Sequence, residues 1–189
     1  GEICVGDERS PIKAGQAALV PILQERMEAA EKVLYFRQDL SSRPADAVLL
    51  KNATGLTLEK GPVTVFEEAA CLGEALLSET LRPDMRDIIP YALETSVEIT
   101  PEVKYDREPA FKATLADGVL TITSARIQET KYRFKNRAKK DHVLYLDHPK
   151  AAGFDLKAPE KAEETLPHHY RFKAALKAGE ESELVVRER

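Results

Sequence analysis

The feature that most constrains this chain is the way its apolar residues alternate. Tyr132 and Phe134 are separated and flanked by Lys131, Arg133 and Lys135. Tyr170, Phe172, Ala174 and Leu176 interleave in the same way with Arg171 and Lys173. A period of two places successive side chains on opposite faces of a pleated strand, so such runs read as half-buried strands with an apolar and a basic face. Phe111, Ala113 and Leu115 repeat the pattern and are followed by Asp117-Gly118. That pair suits the positive φ of a tight hairpin turn, and Val119 to Thr123 is the returning strand. Val63 with Val65, and Val97 with Ile99, mark further strands. The alternating positions Val63, Val65, Phe111, Leu115, Tyr132, Phe134, Leu144, Leu146, Tyr170 and Phe172 are the expected core.

Two stretches carry helix-forming residues. Gln24 to Lys32 lies between two strand-like runs and reads either as a short helical turn or as an arm of a hairpin. Glu67 to Leu77 has helical composition, but Gly73 interrupts it. It reads as a turn over Glu67–Ala70 and a strand from Cys71 to Leu77.

The stretch LLKNATGLTLEKGPVTVFE, Leu49 to Glu67, packs Lys-Asn, Thr-Gly and Lys-Gly-Pro between apolar runs. A strand ending at Lys51-Asn52, a reversal at Thr54-Gly55 and a second strand opened by Pro62 account for it. YRFKNRAKKDHVLYLDHP repeats the order of strand, Lys-Asn, polar turn, strand. Asn52 and Asn136 are therefore expected to start equivalent turns, each bonding its own backbone. A second recurrent turn, Lys13-Ala14-Gly15-Gln16, Arg82-Pro83-Asp84 and Lys177-Ala178-Gly179-Glu180, precedes a strand each time. These echoes predict an all-β fold of two immunoglobulin-like antiparallel β-sandwich lobes with at most a short helical turn. The boundary is placed in the polar segment KYDREP, giving lobes 1–105 and 106–189.

With 189 residues the chain can bury a sizeable core. A formal charge of −4 argues against a general nucleic-acid binder, which needs a basic face. No apolar run is long enough to insert into a membrane as a helix. The chain starts at Gly1, which suggests a piece of a longer protein, so the compartment, cytoplasmic or exported to the cell envelope, is left open. Cys4 and Cys71 read as separate small buried thiols, with one disulfide as the alternative if the chain is exported.

Chemistry-bearing residues do not fall into a known pattern. His142 and His148 share a strand face but are too far apart to grip one ion, and His168-His169 point to opposite faces. No metal, cofactor or catalytic residue is assigned, and the chain is expected not to be an enzyme. The alternative is a hydrolase using the region of Asp147, His148, His168 and His169. The basic turn offers Lys135, Arg137, Lys139 and Lys140 as a surface for an acidic partner, unless it is only a solvated hairpin tip. A glycan-binding module needs exposed rings; Trp is absent, and only Tyr91 and Tyr105 fall outside core-facing positions.

Several runs, ALVPIL, EKVLYF, LLKNATGLTLEKGPVTVFE, IIPYAL, ETKYRFKNRAKKDHVLYLDHP and YRFKAALKAGEESELVVRER, resemble an uncharacterised bacterial family. It is domain-of-unknown-function family 4139, found in mucoidy-inhibitor-A-like proteins. Ala30 stands where the family leads one to expect glycine. The resemblance implies a region inside longer proteins with a link to envelope or exopolysaccharide phenotypes, and it transfers no catalytic residues. The expectation is a non-catalytic structural module for protein–protein interaction or scaffolding, whose partner is another protein or the remainder of its parent chain. The alternatives are a module that binds a glycan or envelope polysaccharide, and the hydrolase.

Overall fold

The computed structural model describes residues 2–5, 22–26, 31–67, 70–108, 112–116 and 118–189. All the regular structure among them is β-strand, and the strand pairings within each compact unit are antiparallel. The chain divides into two compact units, Gly1–Tyr35 with Ala45–Glu94, and Phe36–Pro44 with Thr95–Arg189. This division falls at Glu94–Thr95, short of the boundary expected near residue 105. KYDREP is not a linker: its first residues continue an eleven-residue strand, Val97–Arg107, whose hydrogen-bonded ladder runs through Tyr105.

In the first unit, β1 (Glu2–Val5), β2 (Ile22–Arg26), β5 (Gly61–Glu67) and β6 (Ala70–Leu77) form one sheet in the order β2-β1-β5-β6. β4 (Ala45–Lys51) pairs with β3 (Glu31–Arg37) on one side and β7 (Arg86–Leu93) on the other. Leu50 of β4 and Ile89 of β7 pack with Leu77 of β6 and Leu81. Leu58, Val63 and Ala75 close the edge of this core. Two layers thus bury one set of alternating side chains, which is the economy of a sandwich. The described parts of Gln24–Lys32 are strand, at β2 and β3, which removes the helical reading there; residues 27–30 lie outside the described residues.

β6 is a strand for a reason that lies in Gly73. A Cβ on Gly73 would stand 2.5 Å from the carbonyl oxygen of Tyr91 in β7. Only glycine permits this approach. The ladder skips Leu72, pairing Val65 with Gly73 and Phe66 with Cys71, so Leu72 is the extra residue of a bulge. Cys71 carries a free, exposed thiol rather than the buried one expected.

In the second unit, β8 (Val97–Arg107), β11 (Arg126–Asn136), β13 (Leu156–Ala158) and β16 (Glu181–Glu188) form a sheet in the order β13-β16-β11-β8. β15 (His169–Leu176) lies between β12 (His142–Pro149) and β14 (Glu164–Thr165). β9 (Lys112–Ala116) and β10 (Val119–Thr123) form a separate two-stranded hairpin. Val97, Ile99, Tyr132, Phe134 and Val186 are buried from the first sheet, and Leu144, Leu146, Phe172 and Leu176 from the strands opposite. β12 is buried on both faces: Tyr145 and Asp147 are as hidden as Leu144 and Leu146. Of the other expected core positions, Val65 is buried and Val63 half-buried in the first unit, and Tyr170 is half-buried in the second. Leu115 corrects the expectation outright, being 72% exposed, and Phe111 lies outside the described residues.

The two asparagines do the same work in their separate units. Asn52 donates from Nδ2 to the Leu56 carbonyl (2.7 Å) and to the Leu81 carbonyl (2.8 Å), and its Oδ1 accepts from the Thr54 amide (3.1 Å). Asn136 donates to the Lys140 carbonyl (3.0 Å) and the Leu176 carbonyl (3.2 Å), and accepts from the Ala138 amide (2.9 Å). Each closes its own turn at i+2 and i+4 and ties that turn to the last residue before a second reversal. Those second reversals match too, and the third one expected, at residues 13–16, lies outside the described residues. The Met85 amide donates to the Arg82 carbonyl with Asp84 at φ 64°, and the Glu180 amide to the Lys177 carbonyl with Gly179 at φ 72°. Both asparagines are buried, so a turn side chain has become a core hydrogen-bond hub.

Candidate functional site

The second unit holds a buried polar network. The Tyr132 hydroxyl lies 2.6 Å from His148 Nδ1, and His148 Nε2 lies 3.1 Å from Glu188 Oε2. Glu188 Oε1 accepts the Ala151 amide at 3.1 Å. Tyr132 and Glu188 come from β11 and β16, and His148 from β12, so the chain of bonds crosses the sandwich core. The arrangement assigns the tautomer: Tyr132 donates to Nδ1, and Nε2–H donates to the Glu188 carboxylate. Burial pushes the His148 pKa below its ordinary value, against the opposing pull of Glu188. Burial, with the charge of Glu188, pushes the Tyr132 phenol upward. The edge of Tyr132 meets the ring of Phe36 at 6.5 Å and that of His148 at 5.7 Å, which seals the network from water.

On the opposite face of β12, Asp147 is held by Arg171 through two bonds of 2.7 and 2.9 Å, and Arg171 also reaches Glu164 at 3.0 Å. Asp147 and His148 are thus consumed by different partners on different faces. His168 is exposed and His169 half-buried. Among the described residues, no group of three or more His, Cys, Asp or Glu is placed to hold a metal ion. The sequence singled out His148 and Asp147 but not Glu188 or the Tyr132 hydroxyl. The signal was present: Glu188 falls in phase with the inward Val186, an acid at an apolar position.

The basic turn is partly spent within the fold. Lys135 forms a short ion pair with Glu181, and Arg137 contacts Glu98 at 2.8 Å. Lys139 and Lys140 are exposed at the tip. Of the two tyrosines singled out as exposed, Tyr91 is half-buried and its phenol is raised by burial and by the nearby carboxylates of Asp46, Glu67 and Glu94. Tyr105 is 77% exposed and lines an open cleft of about 600 Å³ with Asp106, Arg107, Arg126, Ile127, Gln128 and Phe154.

The least satisfied surface is the β9–β10 hairpin. Its ladder sets Leu120 opposite Leu115 and Ile122 opposite Ala113, so these four residues share a face. Leu115, Leu120 and Ile122 are each at least 59% exposed. Val119, from the other face, is 63% exposed. No helix among the described residues is long and apolar enough to cross a membrane. No family model, no curated protein and no solved structure matches the chain.

Proposed function

We propose that this chain is a non-catalytic β-sandwich module, immunoglobulin-like in type, that docks another protein through the β9–β10 hairpin. The observation that carries this reading is the shared apolar face of Leu115, Leu120 and Ile122 on a ladder that gains no third strand among the described residues. A two-stranded hairpin is marginal in water by itself. An apolar face presented by such a hairpin is the kind of surface that a partner covers. Both edges of the hairpin also carry backbone groups able to add a strand from that partner. The reactive side chains of β12 support a structural role, since each is already bonded inside the unit.

The test is capture from lysate of the encoding organism with three baits: the wild-type chain, Leu120→Lys/Ile122→Lys, and Lys139→Glu/Lys140→Glu. The expected result is a protein retained by the first and third and lost by the second. Retention that ignores the hairpin substitutions but disappears on charge reversal would move the contact to the basic turn. No retained protein at all removes the docking reading.

Tyr105 favours a second reading, a glycan-binding module with the exposed ring as a stacking surface. The resemblance to an envelope-linked family points the same way. Saturable binding of a neutral sugar, abolished by Tyr105→Ala, is its expected signature.

A further inference from the structure

On the outer face of the β13-β16-β11-β8 sheet, the basic residues sit beside carboxylates. Arg133 meets Glu102 at 2.7 Å, Lys131 meets Glu183 at 3.2 Å, and Arg187 meets Glu129 at 2.6 Å. Lys135 pairs with Glu181, and Lys104 lies 3.8 Å from Glu102. The two remaining basic residues of β8, β11 and β16 are Arg107 and Arg126, and neither has an ion-pair partner among the described residues.

Their position is set by the register that builds the core. Asn136 opposes Val97, Phe134 opposes Ile99 and Tyr132 opposes Pro101, all on the inward face. The same face continues through Thr130 opposite Val103 and Gln128 opposite Tyr105, and ends with Arg126 opposite Arg107. Burial falls away along it: Ile99 is 6% exposed, Val103 42% and Tyr105 77%. The core face therefore emerges into solvent as two guanidiniums directly across a ladder, one step beyond Tyr105 and Gln128. Like charges in that position are unfavourable unless something compensates them.

The surroundings form a site rather than a bare patch. Phe154 ends a turn in which its amide donates to the Ala151 carbonyl at 3.2 Å. Asp155 and Arg189 then exchange backbone bonds of 2.8 and 2.9 Å, and the Arg189 guanidinium holds Glu108 at 2.5 Å. These ties fix Phe154 beside the start of β11, where it lines the cleft with Tyr105, Arg107 and Arg126. The cleft's one acid, Asp106, accepts the Arg107 amide at 2.7 Å, and two guanidiniums still outnumber it. A volume of about 600 Å³ suits a small molecule or an end group.

We infer that this cleft binds a carboxylate carried on a flat ring, with Arg107 and Arg126 taking the carboxylate and Tyr105 and Phe154 the ring. A guanidinium matches a carboxylate with two parallel bonds. The exposed Tyr105 ring, with the half-buried Phe154 beside it, matches the flat face of an aromatic or sugar ring. The inference depends neither on the hairpin nor on neutral-glycan binding, since it requires the negative charge.

The test uses the whole chain with labelled arginine Nε–H signals observed by NMR. Benzoate and glucuronate are titrated against their uncharged counterparts, benzyl alcohol and glucose, with inorganic phosphate as a ringless anion. The expected result is saturable shifts of Arg107 and Arg126 with the two carboxylates; in Arg107→Gln/Arg126→Gln, which lacks those two signals, the backbone amides of Tyr105 and Gln128 are the readout and show binding weaker by about tenfold or more. Tyr105→Ala also weakens binding, and Arg133→Gln, on the paired outer face, leaves it unchanged. Shifts that do not saturate, or persist in the double variant, overturn the site. Equal binding of glucose overturns it too while favouring the neutral-glycan reading, and phosphate as tight as benzoate overturns the role of the rings.

Discussion

His148 shows what a single buried residue does here. Its two ring nitrogens are both bonded, to Tyr132 and to Glu188, in a site almost wholly closed to water. Protonation would place a second N–H against the Tyr132 hydroxyl and a positive charge in the core. Burial, the larger influence, accordingly holds the folded-state pKa below the ordinary 6.5. The unfolded chain therefore takes up this proton at a higher pH than the native one. Stability from the neutral histidine is fully present above about pH 6.5 and is lost as pH falls from there toward the folded value. Thermal unfolding followed from pH 7.5 to 5 should show a Tm that declines on the acid side, with the decline flattened in His148→Gln. An identical decline in the variant would assign the acid sensitivity to other groups.

At the scale of elements, the asparagine turns decide where strands end. Asn136 satisfies the carbonyls of Lys140 and Leu176 and the amide of Ala138 in one buried position. Asn136→Ala leaves these groups without partners, each costing about 1–3 kcal/mol when buried. The variant should unfold at clearly lower denaturant, by more than about 2 kcal/mol at unchanged m-value; a change under about 0.5 kcal/mol, the range of a neutral surface substitution, would contradict the hub. The repeat of Lys-Asn and of the second reversal was readable because turn chemistry is local and leaves a residue signature. The alternation of Tyr132 and Phe134 was readable for the same reason. What was not readable depended on distant neighbours. Leu115 alternates like a core residue, yet nothing in its own segment says whether a third layer will cover it. Tyr105 was visible as an exception to the alternation, but its cleft exists only because Phe154 and Arg189 arrive from elsewhere. The polarity of KYDREP likewise reflects the exposed end of β8, where Lys104 to Arg107 stay paired with β11.

At the scale of the whole molecule, the described residues form an all-β protein of two compact units. In the second unit the core carries a sealed polar network, the outer sheet face is largely charge-compensated, and the hairpin and the cleft are left unsatisfied. The central claim is that the hairpin is completed by a protein partner. The measurement that tests it most directly is amide hydrogen exchange over residues 112–123, with the chain free and with a captured partner bound. Two edges that no described strand covers predict fast exchange in the free chain, and a partner that adds a strand or covers the apolar face predicts slowing there in the complex. Slow exchange in the free chain, or a complex that protects other strands and leaves 112–123 unchanged, would contradict the account.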